Sequence, residues 1–147
     1  MVVAIDLGAR FPIEFKGFPP HMSAIDSVLW RRFRGVQNLP FLGLYFDVAV
    51  GRGAPGDVAL PAVVQDAWER LTRLRCDVVG EAVDHWTIIE LRGAAGPGAI
   101  GSLVVYETLW AQDPPDQRPV ELWLVTDQFA ENLRDSLARF SIKLFLV

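Results

Sequence analysis

Residues 76–106 constrain the fold of this chain more than any other stretch, because they predict a β-hairpin followed at once by a helix. Residues 86–92 alternate between apolar and polar as a strand does, and the segment before them alternates up to a turn at Asp84 and His85. A break rich in glycine and proline at residues 93–98 then opens a helix predicted over residues 97–111. A strand–strand–helix unit is therefore expected at the centre of the chain.

Polar side chains from all three elements of this unit are expected to converge. Successive side chains alternate faces along a strand, so Glu90 and Arg92 project to the same side of the second strand. Asp77 lies at the head of the partner strand. Ser102 and Tyr106 are four residues apart, which places them on one face of the helix.

At these residues the chain resembles the PD-(D/E)XK nuclease superfamily, whose fold is restriction-endonuclease-like. The resemblance rests on Asp77, on Glu90-Leu91-Arg92 after the expected hairpin gap, and on Ser102 and Tyr106 at the spacing of the superfamily's Gln-x-x-x-Tyr motif. It implies that Asp77 and Glu90 hold Mg²⁺, that residue 92 helps to activate the attacking water, and that Ser102 and Tyr106 support the site. Two hard oxygen ligands suit Mg²⁺, and a neighbouring cation stabilises the developing negative charge.

Two positions depart from the superfamily's pattern. Residue 92 is Arg where Lys is expected, and residue 102 is Ser where Gln is expected. Arginine keeps its charge at every accessible pH, so it clamps a phosphate but does not readily accept a proton. These departures favour a non-catalytic nuclease-fold domain for binding or assembly. The resemblance to small nuclease-like domains of phages and mobile elements implies, by analogy alone, a structural protein of such a particle. The alternative is a metal-dependent DNA endonuclease or exonuclease.

Length and composition predict one domain with one core, since the chain has 147 residues of which 51% are hydrophobic. Cys76 is the single cysteine, which excludes an intrachain disulfide, and the only histidines are His21 and His85, which argues against a zinc site. No apolar run approaches the roughly 20 residues of a membrane span. The expected location is the cytoplasm, or the virion for a phage-encoded protein, with no membrane partner.

The net charge of −4 argues against a general nucleic-acid coat. Residues 1–37 nevertheless carry five cations against three acids, a balance of +2 that leaves −6 for the remainder. An anionic partner such as a nucleic acid would therefore prefer the N-terminal part. The alternative is that Arg31, Arg32 and Arg34 only solvate the end of a helix.

Residues 1–22 are predicted to form an arm, because glycines and prolines interrupt them too often for a long element, apart from a short strand at residues 2–5. Their apolar side chains would be costly to expose, so the arm should lie against its own domain, another copy of the chain or a protein partner. We take the arm as an assembly element. Its apolar residues are Phe11, Ile13, Phe15 and Phe18. Met22 is an alternative translation start.

Residues 23–147 are predicted to form the nuclease-like domain, beginning with a helix over residues 23–33 that Ser23 caps. Asp26 in its first turn is either a further acid of the site or an acid favoured by the helix dipole. A strand over residues 41–50 carries Asp47, which either faces solvent or lies near the site. The apolar stripe predicted for the helix consists of Ile25, Leu29 and Phe33, widened by Trp30.

A second amphipathic helix is predicted over residues 60–75, with Glu69 as a solvated partner of Arg73. Its predicted inward face consists of Val64, Ala67, Trp68, Leu71 and Leu74. Strands at residues 120–126 and 142–147 flank a last helix that Asp127 is expected to cap. The expected fold class is α/β, with a mixed central sheet flanked by helices.

Overall fold

Six strands form one mixed sheet, and their order in space follows their order in the sequence. The first four strands pair antiparallel, whereas the last two are added in parallel, each after a helical crossover. The sheet consists of β1 (Ile5–Asp6), β2 (Gly43–Val50), β3 (Leu74–Glu81), β4 (Trp86–Leu91), β5 (Val120–Thr126) and β6 (Ile142–Leu146). The prediction of a mixed α/β sheet flanked by helices is confirmed.

This description comes from a computed structural model and covers residues 4–54, 56 and 59–147. Val2 and Val3, predicted to begin the first strand, lie outside the described residues. The helices are α1 (Ala24–Val36), α2 (Ala62–Leu71), α3 (Pro97–Gln112) and α4 (Arg134–Arg139), with a 3₁₀ turn at Glu131–Leu133 before α4. Within the described part of the chain, every helix is too short or too polar to cross a membrane.

The two faces of the sheet carry separate cores. One face packs against α3 and α4, and its largest buried side chains include Trp86, Ile88 and Trp110. The other face packs against α1, with Phe33, Ile89 and Trp123 among its buried side chains. Trp86 and Ile88 alternate with Ile89 as the sequence predicted. Glu90 therefore projects towards α3.

Strict alternation fails at one point in β2 and β3. Tyr45 and Val48 both belong to the core beneath α3 although they are three residues apart, and Cys76 and Val79 behave in the same way. Asp47, which lies between the first two, has a φ of 54°, in the left-handed region. This interruption of the alternation lies beside Asp77. The position of the Asp77 side chain therefore depends in part on an irregularity of the sheet.

Helix α1 begins as predicted, because the Ser23 hydroxyl accepts a hydrogen bond from the Asp26 N–H at 3.1 Å. Its apolar stripe is narrower than predicted. Leu29 and Phe33 are buried, but Ile25 is largely exposed. The prediction for Ile25 was wrong because helical spacing defines a face of the helix but does not show how far the sheet extends beneath it.

Helix α2 is shorter than the predicted helix over residues 60–75, since Leu74 already belongs to β3. No residue within Ala62–Leu71 is buried. The predicted inward face is instead open to solvent: Ala67 is exposed, and so are Val64, Trp68, Leu71 and Leu74. The amphipathic pattern was correct, but the sheet does not cover its apolar side.

Two further predictions about polar residues were wrong. Glu69 pairs with Arg52 at 2.9 Å, whereas Arg73 is buried and donates to the carbonyl oxygens of Gly51 and Ala4 at 2.9 and 2.7 Å. Asp127 does not cap the last helix. Its carboxylate accepts the Ala94 N–H at 2.8 Å and so fixes the loop that leads into α3.

The N-terminal segment lies on its own domain. Phe11 forms an antiparallel bridge with Leu44, through two backbone hydrogen bonds of 2.8 and 2.9 Å. Phe11 and Phe15 both pack near Phe46, with ring centroids 5.2 and 6.1 Å from it. Ile13 packs against the same core, whereas Phe18 is 74% exposed. Three of the four apolar side chains predicted to dock therefore do so within the chain.

Candidate functional site

The register of β3 and β4 brings Asp77 and Glu90 together. Val78 pairs with Ile89, and the next position along the ladder sets Asp77 opposite Glu90. The backbone ladder ends there, and the Leu91 N–H donates to Oδ2 of Asp77 at 2.8 Å instead. The convergence expected of these two carboxyl groups is therefore present.

Glu90 is almost completely buried, with 3% of its surface exposed. Its Oε1 atom accepts a hydrogen bond from Nη2 of Arg92 at 2.6 Å, which is the ion pair that the strand spacing predicts. Its Oε2 atom is buried and has no hydrogen-bond partner among the described residues. Burial raises the pKa of Glu90, and the hydrogen bond from Arg92 opposes that rise.

Asp77 is held in its neutral form more strongly. Burial and the nearby charge of Glu90 raise the pKa of Asp77 to about 8, and the hydrogen bond from Leu91 opposes them only in part. Asp77 is therefore largely protonated at neutral pH, beside the Glu90 carboxyl group that pairs with Arg92.

Asp26 and Tyr106 complete the polar cluster. The charge of Asp26 raises the pKa of both Asp77 and Glu90, so the first turn of α1 lies within electrostatic reach of the site. Tyr106 is buried on α3, and burial followed by the charge of Glu90 raises the pKa of its phenol. Ser102, one turn earlier on α3, is half-buried and lies close enough to Tyr106 to oppose the rise in the pKa of its phenol.

Arg92 lies just beyond the end of β4, with 44% of its side chain exposed. Its hydrogen bond to Glu90 raises the pKa of the guanidinium, which stays fully charged. A side chain added at Gly98 would meet Nη1 of Arg92 at 3.9 Å, so the guanidinium lies beside the first turn of α3. Asp77, Glu90, Arg92 and Tyr106 therefore lie within electrostatic reach of one another.

A divalent cation could bind here only through Asp77 and Glu90, with Asp26 as a third acid nearby. No group of three or more His, Cys, Asp or Glu side chains in the described ranges is arranged to hold a metal ion. Asp47 pairs with Arg75 at 3.3 Å rather than with the site. Chemically, the cluster is a buried pair of carboxyl groups whose pKa values are both raised, with one arginine bound to Glu90.

The sequence did not predict a pocket of about 600 Å³ that lies between α1 and residues 15–19. The cationic excess of residues 1–37 was its only signal. No local pattern shows that residues 15–19 fold back over the helix.

Because comparison with known proteins found no match, the function of this site has to be inferred from its geometry. No family model, curated protein or solved structure matches the chain.

Proposed function

We propose that this chain is a nuclease-fold domain of the PD-(D/E)XK type that works without metal chemistry, as a binding or assembly component. The ion pair between Glu90 and Arg92 carries the proposal. Arg92 donates at 2.6 Å to a carboxylate that is 3% exposed, so it supplies the positive charge that a divalent cation would otherwise supply to Glu90. A metal ion would have to displace this guanidinium and also remove the proton that Asp77 holds up to a pH of about 8.

The arrangement of elements supports the nuclease-like part of the proposal. β3 supplies Asp77, β4 supplies Glu90, and α3 carries Ser102 and Tyr106 over the same face of a mixed sheet. This is the order in which the superfamily's residues occur along the chain.

The second candidate is a metal-dependent nuclease, and one observation favours it. The buried Oε2 atom of Glu90 has no partner in the described part of the chain, and it lies beside a second carboxyl group whose pKa is raised. A bound cation would give Oε2 of Glu90 a partner, and its positive charge would favour the ionised form of Asp77.

Calorimetric titration with Mg²⁺ and Mn²⁺ separates the two candidates. The proposal expects no binding tighter than about 1 mM and no cleavage of plasmid or single-stranded DNA with either metal. Micromolar binding that Asp77→Ala abolishes, or nicking that Glu90→Gln abolishes, would establish the nuclease instead.

The more searching experiment restores the superfamily's pattern through Arg92→Lys combined with Ser102→Gln. Metal-dependent cleavage by this double variant, but not by the unmodified chain, would support a nuclease fold that has lost its activity. Arg75→Lys is the matched control, since Arg75 is another strand arginine paired with a carboxylate, Asp47 at 3.3 Å.

For the assembly role, we propose the apolar side of α2 as the contact for a protein partner or a second copy of the chain. Val63, Trp68 and Leu71 are 75%, 50% and 80% exposed on this helix. Contiguous apolar side chains of this size are costly to leave in water. A component of a phage or other mobile-element particle would bury such a surface against its neighbour.

A further inference from the structure

The pocket beside α1 is formed by the folding back of the N-terminal segment. Arg34 holds this segment in place by donating hydrogen bonds to the carbonyl oxygens of Ile13 and Phe15. The volume of about 600 Å³ lies within the range of small-molecule sites. The lining residues on which the inference depends are Lys16, Phe18, Ser27, Trp30, Arg31 and Arg34.

The charge of this lining has one sign. Lys16, Arg31 and Arg34 are its charged residues, and no carboxylate belongs to it. Most of the chain is acidic, with a net charge of −4, so this concentration of cations is a local feature. Converging cations around a partly enclosed volume favour an anionic ligand.

Aromatic rings form much of the remaining wall. The guanidinium of Arg34 lies 5.8 Å from the ring centroid of Trp30, and that of Arg31 lies 6.0 Å from the centroid of Phe18. Trp30 is only 3% exposed, so the ring that offers a stacking surface to a flat ligand group is Phe18, which is 74% exposed.

Ser27 adds an independent indication of a ligand. The residue lines the pocket and is 4% exposed, and its Oγ atom is buried without a hydrogen-bond partner among the described residues. Buried hydroxyl groups are nearly always hydrogen-bonded, because burial removes the water that would otherwise bond to them. A ligand that offers a polar atom at this point would satisfy it.

We infer that this pocket binds a nucleotide unit, with its phosphate at the cations and its base against the aromatic walls. Inorganic phosphate would leave the exposed Phe18 ring unused, and an apolar ligand would use neither the positive charge of Lys16 and Arg31 nor the Ser27 hydroxyl. The site is separate from the carboxyl pair, although α1 contributes Asp26 to one and Ser27 to the other. The inference does not depend on whether the carboxyl pair is catalytic.

The test is a titration of the whole ¹⁵N-labelled protein, followed by amide chemical shifts, with AMP, adenosine and inorganic phosphate as separate probes. AMP is expected to bind with a Kd below about 1 mM and to shift the amides of residues 15–19 and 27–35. Adenosine and phosphate should each bind at least about tenfold more weakly. Equal binding of all three, or shifts centred on Glu90 instead, would overturn the inference.

Neighbouring arginines give a matched pair of variants. Arg31 lines the pocket, whereas Arg32 is exposed on the same helix and does not. Arg31→Gln is expected to weaken AMP binding about tenfold, and Arg32→Gln to leave it within about twofold. If both substitutions weakened AMP binding equally, the effect would come from the net charge of the protein, and the proposed site would be refuted. Ser27→Ala should weaken binding about three- to tenfold without changing the remaining amide spectrum.

A nucleotide unit could bind in this pocket either as a free mononucleotide or as the 5′ end of a nucleic-acid strand. Binding of 5′-phosphorylated hexaadenylate that is much tighter than that of AMP would assign the pocket to a strand end. Equal affinities would assign it to the free mononucleotide. No binding of either would refute the inference.

Discussion

The N–H of Leu91 donates to Oδ2 of Asp77 at 2.8 Å, so a side chain continues the link between β3 and β4 where the backbone ladder stops. The same carboxyl group faces Glu90 and holds a proton because of burial and that neighbouring charge. Asp77 is thus a structural link that is neutral at physiological pH. Its protonation makes the stability of the domain depend on pH.

We expect the contribution of Asp77 to the free energy of unfolding to fall as the pH rises from about 4 to about 8. The unfolded chain releases this proton near pH 4, whereas the folded chain keeps it up to about pH 8. The folded state therefore binds more protons across this window, and stability must decrease with pH. Above pH 8 the contribution should be constant.

Asp77→Asn tests this dependence by urea denaturation at several pH values. The amide can accept the Leu91 N–H but cannot ionise, so the variant should be more stable than wild type at pH 8.5 by at least about 1.4 kcal/mol, the value of one pKa unit. In Glu90→Gln the neighbouring charge is gone and the pKa of Asp77 should fall. The pH range over which stability decreases should therefore end at a lower pH. Identical pH profiles for wild type and Asp77→Asn would contradict the assignment of the proton.

The ion pair between Glu90 and Arg92 should contribute measurably to stability. A double-mutant cycle with Glu90→Gln and Arg92→Met is expected to give a coupling energy of about 1–2 kcal/mol, because Glu90 is buried and Arg92 only partly exposed. The exposed pair of Glu131 and Arg134 is the control, with an expected coupling below about 0.5 kcal/mol. Equal coupling in the two pairs would show that burial does not strengthen the first.

The N-terminal segment should stabilise the fold rather than act only between molecules. Phe11→Ala is expected to lower the free energy of unfolding by about 1.5–3 kcal/mol, because Phe11 packs on Phe46 and Phe15. Phe18→Ala should change it by less than about 0.5 kcal/mol, since Phe18 is exposed. Deletion of residues 1–21 should lower the thermal midpoint seen by circular dichroism. An unchanged thermal midpoint would show that the segment does not stabilise the fold, and would leave it a role in assembly alone.

The exposed side of α2 predicts self-association. Asp66 and Arg70 lie one turn apart beside the apolar residues, so two antiparallel copies of α2 could oppose these charges while covering Trp68 and Leu71. Light scattering should give wild-type protein a mass above the 16.4 kDa of one chain. Trp68→Lys with Leu71→Lys should reduce it to one chain without changing the fold.

Val83→Lys is the control for this experiment. Val83 is 76% exposed at the hairpin turn, away from α2, so its substitution should leave the mass unchanged. A wild-type protein of one chain at all concentrations would exclude self-association and leave a different protein as the partner.

The sequence by itself determined the features that depend on near neighbours. Ser23 caps α1 because its hydroxyl reaches an N–H three residues ahead, and Trp86, Ile88 and Glu90 share a face because strands alternate. The pairing of Glu90 with Arg92 follows from the same alternation. Local geometry sets such contacts whatever the rest of the chain does.

Tertiary structure decided the features that depend on distant partners. Helical spacing marked an apolar face on α2, but only the extent of the sheet determined that this face stays exposed. Asp77 holds a proton because burial and Glu90, thirteen positions further on, act on it together. The pocket exists because Arg34 binds the carbonyl oxygens of Ile13 and Phe15. Burial and long-range contacts have no period in the sequence, so no local pattern could have shown them.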